Sequence, residues 1–322
     1  MGERVVIAGA SGFIGQFLAQ AFILDGATVR FIGRHGADAS WGDVAGITRA
    51  LEGADLLINL AGKSVNCRYT AANRAEILRS RVETTRELAT AIRACERPPS
   101  LWVNSSTATI YRHAEDRAMT EAAGELGEGF SVDVAKAWER EFFEGELPNT
   151  RRVALRTAIV LGHGSALVQL IRLARFGLGG PQLDGHWFST AARRAAGTFH
   201  RFRARGGGQK FSWIHIADVL GIIRFLGGHP EFSGVVNAST PNASDNRTLM
   251  ATLRHVLGMP LGLPAPRWML EIGTFVIRTE TELVLKSRWV IPERLTNAGY
   301  EFAYPELESA LRQIVEQRRR QE

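Results

Sequence analysis

The chain has 322 residues but only two cysteines, Cys67 and Cys95. Two cysteines are too few for a disulfide framework, and no cysteines and histidines have the spacing of zinc ligands, so we expect no metal site. No apolar run approaches the ~18 residues that span a bilayer, and the first predicted strand leaves no room for a signal peptide. These absences predict a cytoplasmic protein that has no membrane partner.

Acidic residues are fewer than basic ones, with 33 Asp and Glu against 39 Lys and Arg and a net charge of +6. The arginines are scattered and no nucleic-acid-binding module is visible, so we expect no nucleic-acid partner. The positive excess instead favours an anionic small ligand. With 45% hydrophobic residues the chain can bury a large core, and its length predicts two domains or one large domain with a lobe.

The segment VVIAGASGFIG, residues 5–15, begins with an apolar run typical of a parallel strand buried on both faces. In the turn that follows, Gly9 permits a tight bend, Gly12 lets a ligand approach the backbone, and Gly15 lets the next helix pack closely. The amino terminus of that helix would present free N–H groups to a pyrophosphate. The pattern predicts dinucleotide binding, and a tight turn without a ligand is the alternative.

Strand-like and helix-like segments alternate through the first half of the chain. The apolar runs at 28–32, 55–60, 101–104 and 153–156 are separated by helical patterns, of which 71–95 is the clearest. Alternation of this kind predicts an α/β fold with a Rossmann-type doubly wound parallel sheet and a smaller C-terminal substrate lobe. The predicted nucleotide-binding domain comprises residues 1–160 and 209–240, including strands near Trp213 and at 235–238. The predicted lobe comprises 161–208 and 241–322, with a basic insert near 184–206.

The second predicted strand indicates which nucleotide is preferred. An acidic residue at its end would bind the adenosine ribose of NAD(H), but the strand is followed by Gly33-Arg34-His35. An arginine there pairs with a 2′-phosphate, so we predict NADP(H) as the cofactor. A solvated loop arginine is the alternative.

Several motifs together resemble the extended short-chain dehydrogenase/reductase superfamily: Gly9-x-x-Gly12-x-x-Gly15, NLAG (59–62), NSSTATIY (104–111), and Arg156 with Leu161-Gly162. A narrower resemblance is to a poorly characterised group of sugar-nucleotide epimerase-like proteins with its own C-terminal domain. It rests on ILRSR (77–81), AWE (137–139), LRTAIVLG (155–162), SWIHI (212–216), VIP (290–292) and GYEF (299–302).

The resemblance implies an NADP-binding Rossmann domain and a C-terminal lobe over the nicotinamide end. It also implies a small-molecule substrate, anionic or a nucleotide sugar, and a monomer or homodimer. From the glycine turn and the resemblance together, the predicted cofactor-binding residues are Gly9, Ser11, Gly12, Phe13, Ile14, Gly15, Arg34, Leu60, Ala61, Gly62, Ser105 and Lys136. Ser105 and Ser106 could alternatively satisfy backbone groups at the strand end.

Catalysis in that superfamily uses a Ser or Thr, a Tyr, and a Lys four residues after the Tyr. The resemblance places Thr107 and Lys136 at the first and last of these positions, but Val132 stands where the tyrosine belongs. A hydrocarbon side chain transfers no proton, and loss of a general acid costs about 10²–10⁴-fold in rate. Tyr111 is the predicted substitute, with a core tyrosine as the alternative, and Lys136 could be a solvated helix lysine.

Two further features, the basic insert and the pair His215 and Asp218, carry separate predictions. The insert carries Arg193, Arg194, Arg201, Arg203 and Arg205, and either lies over the cleft to pair with an anionic substrate or forms a solvated hairpin or helix. His215 is predicted as a satisfied strand histidine and Asp218 as a helix cap.

The predicted function is an NADP(H)-dependent oxidoreductase or epimerase-like enzyme that acts by hydride transfer on a carbonyl or alcohol. The alternatives are an NADP(H)-binding redox sensor or scaffold without turnover, and a structural relic that binds no nucleotide.

Overall fold

The computed structural model describes residues 2–200, 202, 204–276 and 280–320, so Arg201 and Arg203 of the insert lie outside the described residues. Its strands are β1 (Arg4–Ala8), β2 (Thr28–Gly33), β3 (Ala39–Ser40), β4 (Leu56–Asn59), β5 (Leu101–Thr107), β6 (Arg151–Thr157), β7 (Ile159–Leu161), β8 (Lys210–Phe211), β9 (Trp213–His215), β10 (Gly234–Ala238) and β11 (Ser244–Asp245).

The helices are α1 (Phe13–Leu24), α2 (Val44–Leu51), α3 (Ala71–Ala94), α4 (Phe130–Phe143), α5 (Ser165–Arg175), α6 (Ala191–Ala195), α7 (Ile216–Gly228), α8 (Asn246–Leu257), α9 (Arg267–Val276), α10 (Glu282–Leu285), α11 (Glu293–Asn297) and α12 (Leu307–Arg319), with a 3-10 turn at Ala108–Ile110. None of these helices, within the part of the chain that the structure describes, is both long enough and apolar enough to cross a membrane.

Seven strands form one parallel sheet in the order β10-β6-β5-β4-β1-β2-β3. Helices cover both faces of this sheet: α1 and α7 pack on one apolar cluster, while α2, α3 and α4 pack on the other. The direction of the crossovers reverses between β1 and β4, which is the place where such sheets bind ligands at the carboxyl ends of the strands. The prediction of a Rossmann-type doubly wound fold is confirmed.

The strand near Trp213 does not join the large sheet, contrary to expectation. β9 pairs with β7 in a separate two-stranded sheet, with Ile159 opposite Trp213 and Leu161 opposite His215. β10 does lie at the edge of the large sheet, beside β6. All seven strands of that sheet fall inside the ranges predicted for the nucleotide-binding domain, while the division of the chain into domains stays a prediction.

The prediction that Asp218 caps a helix is wrong, because α7 begins earlier. His215 is the cap residue, and its Nδ1 accepts a hydrogen bond of 3.2 Å from the Ala217 N–H. The buried Asp218 carboxylate instead accepts hydrogen bonds from the backbone N–H groups of Ala303 and Tyr304. Asp218 therefore holds the C-terminal segment against α7.

Candidate functional site

The turn between β1 and α1 needs glycine at two positions because protein atoms crowd them. Gly9 has φ 81°, in the left-handed region, and a Cβ there would lie 2.8 Å from the Ala61 nitrogen. A Cβ on Gly15 would lie 2.7 Å from the Ala10 Cα. These contacts hold the turn against the loop after β4 and bring α1 close to the strand.

Gly12 differs from these two glycines, because nothing in the protein excludes a side chain there. Its φ of −80° suits any residue, and a Cβ on Gly12 would have the Gly9 oxygen as its nearest neighbour, at 3.8 Å. Ser11 and Gly12 are exposed, and among the described residues no side chain caps α1. The first N–H groups of the helix therefore have no side-chain acceptor among the described residues, which leaves them available to a bound pyrophosphate.

Phe13 and Ile14, which follow the turn, are half-buried and pack on the core. The Phe13 ring occupies the space beside Gly162 and Gly164, where added Cβ atoms would lie 2.6 and 2.4 Å from ring carbons. These two residues position the helix terminus through apolar contacts. Their backbone N–H groups belong to the uncapped first turn.

The loop after β4 forms the second side of the predicted cofactor site. The Ala61 N–H donates to Asn59 Oδ1 at 3.0 Å, and Asn59 Nδ2 donates to Asn104 Oδ1 at 2.6 Å. Leu60 packs on the core, and the Arg81 side chain lies against Gly62. Buried amides thus fix the ends of β4 and β5 relative to each other.

Arg34 and Ser105 lie at different depths in this site. The Arg34 side chain is exposed just beyond β2, at the place predicted for a 2′-phosphate. Ser105 is half-buried near the end of β5, and its carbonyl accepts a hydrogen bond from Asn104 Nδ2. The neighbouring Ser106 donates a hydrogen bond to Glu139 Oε1 at 2.6 Å, so its hydroxyl is engaged in the protein interior.

Thr107 and Lys136 carry two of the predicted catalytic roles. Thr107 ends β5, and its Oγ1 accepts a hydrogen bond from the Thr109 N–H at 3.1 Å. Lys136 lies in α4, and its Nζ donates to the Gly127 carbonyl at 2.8 Å. Since α4 packs against β5 and the 3-10 turn, both residues lie at the carboxyl edge of the sheet.

Tyr111, the predicted proton donor, lies in the interior and is 1% exposed. Its hydroxyl donates to Asn237 Oδ1 at 2.9 Å and accepts from Arg156 Nη1 at 2.9 Å. Burial raises the pKa of Tyr111 above its usual value. The geometry suits the core tyrosine that the sequence left as the alternative, and a catalytic role stays a prediction.

Val132 is fully buried in the same apolar cluster as Tyr111. Val290, from the C-terminal part of the chain, completes this cluster. The volume near the position of the usual tyrosine is therefore filled by packed hydrocarbon. The nearby Arg156 forms a buried bidentate ion pair with Glu139, at 2.8 and 2.7 Å, which fixes β6 to α4.

A polar cluster that the sequence did not reveal lies beside the start of α4. The Ser131 hydroxyl donates to Glu282 Oε2 at 2.9 Å, and Tyr69 Oη lies 3.5 Å from Ser131 Oγ. His200 Nε2 lies 3.4 Å from Glu282 Oε2. Burial alone would raise the pKa of Glu282, but His200 and the nearby cations hold it below its usual value.

Lys286 extends this cluster to the end of β5. Its Nζ donates to the Thr109 carbonyl at 2.7 Å, and Arg288 Nε donates to Thr109 Oγ1 at 3.2 Å. Burial and, second, the positive charge of Arg288 lower the pKa of Lys286 to about 8. A buried ammonium with a pKa near neutrality contacts the residue two positions after Thr107, and it is the kind of group that acid–base catalysis uses.

The insert contacts the start of α4 beside this cluster and contains the short, largely exposed helix α6, so its role toward the substrate stays a prediction. Phe130 N–H donates to the Gly197 carbonyl at 3.4 Å, which brings the insert to the start of α4. Arg193 pairs with Glu271 at 3.3 Å and with Glu280 at 3.8 Å. Its charge is thus compensated by carboxylates of the protein. Arg194 donates to Ser189 Oγ, and Arg205 is exposed.

Sequence reasoning missed Ser131, Tyr69, Glu282 and Lys286. Ser131 immediately precedes the position of the missing tyrosine, and this adjacency was the available signal. No local pattern marks Glu282 or Lys286, because their hydrogen-bond partners Ser131 and Thr109 lie about 150 residues or more away in the chain. Among the described residues, no group of His, Cys, Asp and Glu side chains is arranged to hold a metal ion.

Two family models match the chain. The model described as the NAD dependent epimerase/dehydratase family matches residues 5–131, and a domain of unknown function, DUF1731, matches residues 265–314. The epimerase family protein SDR39U1 of Bos taurus is 31% identical over 97% of this chain and 99% of its own length.

Solved structures are similar over the whole chain as well. The crystal structure of human epimerase family protein SDR39U1 (isoform 2) with NADPH has a TM-score of 0.82 and 28% identity, covering 97% of this chain and 99% of that one. A UDP-N-acetylglucosamine 4-epimerase from Methanobrevibacter ruminantium M1 has a TM-score of 0.72, with full coverage of both chains. At 15% identity, the latter likeness shows the fold alone.

Proposed function

Since this chain belongs to the epimerase family that includes SDR39U1, we propose that it is an NADP(H)-dependent oxidoreductase or epimerase-like enzyme. Its substrate is a small molecule with a carbonyl or carbinol carbon, either anionic or a nucleotide sugar. The observation that carries the proposal is the open space at Gly12, where the protein itself has no need of glycine.

Three features favour NADP(H). The uncapped first turn of α1 offers N–H groups to a pyrophosphate, and Gly12 leaves room for it. Arg34 is exposed beyond β2, where its guanidinium can pair with a 2′-phosphate. The human relative was solved with NADPH, which agrees with this choice.

Bound NADP(H) supplies or accepts a hydride at its nicotinamide ring. Thr107 hydrogen-bonds the substrate oxygen, and Lys136 binds the nicotinamide ribose. The buried amides at the ends of β4 and β5 keep the Ala61 and Ser105 segments in fixed positions beside the cofactor. The residues of the sheet edge thereby orient the reacting carbon and the substrate oxygen.

The proton comes from Lys286 in this proposal. Its ammonium has three donor hydrogens, and within the described part of the chain it donates one hydrogen bond, to the Thr109 carbonyl. With a pKa of about 8 it is protonated at neutral pH and gives up a proton readily to an alkoxide. Tyr111 is the other candidate, but its hydroxyl is already engaged by Asn237 and Arg156.

An NADP(H)-binding sensor without turnover is the second candidate function. The packed hydrocarbon around Val132 favours it, because the usual proton donor has been replaced by a core residue. In a sensor, Lys286 and Glu282 would serve only to hold the C-terminal segment against β5 and α4.

A titration of the purified protein with NADPH and NADH, followed by tryptophan quenching and nicotinamide emission, tests the cofactor. We expect a clear preference for NADPH that is lost in Arg34→Ala, because the guanidinium–phosphate pair contributes about 1.5–3 kcal/mol. Arg30→Ala, four residues earlier in β2, is the matched control. Absence of binding to either nucleotide would contradict both candidate functions.

Oxidation of NADPH in the presence of a panel of carbonyl compounds tests turnover. We expect the rate of reduction to fall above pH about 8 as Lys286 loses its proton, and we expect Lys286→Met to abolish the reduction. Tyr111→Phe should still reduce the substrate. Loss of turnover in Tyr111→Phe with Lys286→Met active would assign the proton to Tyr111, whereas NADPH binding without turnover would favour the sensor.

A further inference from the structure

Helix α9 is oriented with its polar side inward and its apolar side outward. Arg267 and Glu271 are 4% and 6% exposed, whereas Trp268, Ile272 and Phe275 are 54%, 53% and 68% exposed. The spacing of the three apolar residues places them on one stripe of the helix. A surface helix of a globular protein normally shows the reverse arrangement.

Ion pairs fix this orientation. Arg267 donates to Glu271 Oε1 from Nη2 at 2.7 Å and to Asp184 Oδ1 from Nη1 at 2.7 Å. Arg193 Nη1 of the insert lies 3.3 Å from the other carboxylate oxygen, Glu271 Oε2. Rotating the helix to bury its apolar stripe would separate these buried charges, which is strongly unfavourable. The exposed stripe is therefore a stable feature of the surface.

The segment that precedes α9 also exposes large apolar side chains. Leu263 N–H donates to the Gly177 carbonyl at 2.8 Å, and Gly180 N–H donates to the Leu263 carbonyl at 3.1 Å, so this segment lies beside the end of α5. Together these elements expose six large apolar side chains, each between 53% and 82% exposed. We call this set the apolar face: Phe176, Leu261, Leu263, Trp268, Ile272 and Phe275.

The exposed charges of the segments that carry the apolar face have one sign. The segments 172–200 and 258–276, which form the face and its surroundings, contain two acidic residues, Asp184 and Glu271. Both carboxylates are buried against Arg267. Arg172, one helical turn before Phe176, and Arg194 on α6 are exposed. The outer surface of these segments thus combines apolar side chains with arginines and presents no carboxylate.

We propose that the apolar face is a peripheral membrane-binding surface for anionic lipid bilayers. Its tryptophan, phenylalanines and leucines would enter the interfacial layer, while Arg172 and Arg194 would meet the phosphate headgroups. A symmetric contact with a second copy is disfavoured, because it would bring the same arginines of both copies around one interface. Peripheral attachment needs no membrane-spanning run, so it is compatible with a sequence that has no long apolar stretch.

Flotation of the full chain with phosphatidylcholine vesicles, with and without phosphatidylglycerol, tests this proposal. We expect binding to the anionic vesicles that weakens with salt, and little binding to the neutral ones. Ile272→Glu should weaken binding about tenfold or more, since a charge replaces an apolar side chain that would enter the interfacial layer. Arg172→Gln and Arg194→Gln should each weaken it about fivefold.

Leu24→Glu is the matched control, because Leu24 is 78% exposed at the end of α1, outside the apolar face. It should bind vesicles as the wild type does, and thermal unfolding together with NADPH titration checks that every variant is folded. No flotation of the wild type with anionic vesicles, or equal flotation of Ile272→Glu, would overturn the proposal. A dimer in analytical ultracentrifugation that Ile272→Glu dissociates, without vesicle binding, would instead assign the face to a second copy.

Discussion

Replacing Lys286 with methionine tests how the interior beside β5 tolerates charge. Burial, followed by the nearby Arg288 charge, lowers the pKa of Lys286 from 10.5 to about 8. A tenfold change in an ionisation constant corresponds to about 1.4 kcal/mol, so the native state holds this lysine charged at a cost of about 3 kcal/mol. Methionine has a similar length and no charge, and the variant therefore lacks this cost.

The direction of the pH dependence follows from proton binding. Between pH about 8 and 10.5 the unfolded chain keeps the lysine proton and the native protein has released it, so the free energy of unfolding rises with pH. Below pH about 8 both states are protonated and the cost is fully present. From pH about 7 to about 10, the wild type should gain about 2–3 kcal/mol of stability relative to Lys286→Met.

Urea unfolding of both proteins at the two pH values, followed by tryptophan fluorescence, measures this change. Comparison between pH values cancels the constant loss of the hydrogen bond to the Thr109 carbonyl. Lys63→Met is the control, because Lys63 is half-exposed and lies outside the buried cluster. An equal difference for Lys286→Met at both pH values would refute the reasoning that this lysine is buried and charged.

Three further substitutions test the site and its support. Gly12→Ala should raise the free energy of unfolding by up to about 1 kcal/mol, since its φ suits alanine, yet weaken NADPH binding. Gly227→Ala, in an open part of α7, should leave NADPH binding unchanged. Calorimetric titration measures the NADPH affinity of both variants, and unchanged affinity in Gly12→Ala would contradict a ligand at this turn. Tyr111→Phe should lose about 1–3 kcal/mol in urea unfolding, because Asn237 and Arg156 each lose a hydrogen-bond partner, and wild-type stability would argue against that network. Glu139→Gln should lose about 3–5 kcal/mol by leaving a buried guanidinium without its carboxylate, and a loss below about 1 kcal/mol would show that solvent compensates Arg156.

Local sequence patterns determined the nucleotide-binding half. β-Branched runs and glycine spacing predicted β1 and the turn at Gly9, and the helical periodicity of 71–95 predicted α3 almost to the residue. These signals are reliable because backbone preference and the burial of one face act over short stretches of chain. The resemblance to the superfamily also revealed the missing tyrosine, since it places Val132 at that position, four residues before Lys136.

Only the tertiary structure decided which side chains lie near Val132, the position of the missing tyrosine. Lys286 contacts the turn after β5 and Glu282 contacts α4, although both residues lie more than 150 positions later in the chain. No local sequence pattern predicts contacts over this separation. The amphipathic pattern of α9 does not predict which side of the helix faces outward, because the ion pairs of Arg267 with Glu271 and Asp184 determine its orientation. Local preferences determine the helices and strands. Buried charges need oppositely charged or hydrogen-bonding partners, and these partners come from distant parts of the chain, so the buried charges determine how the second half packs against the first.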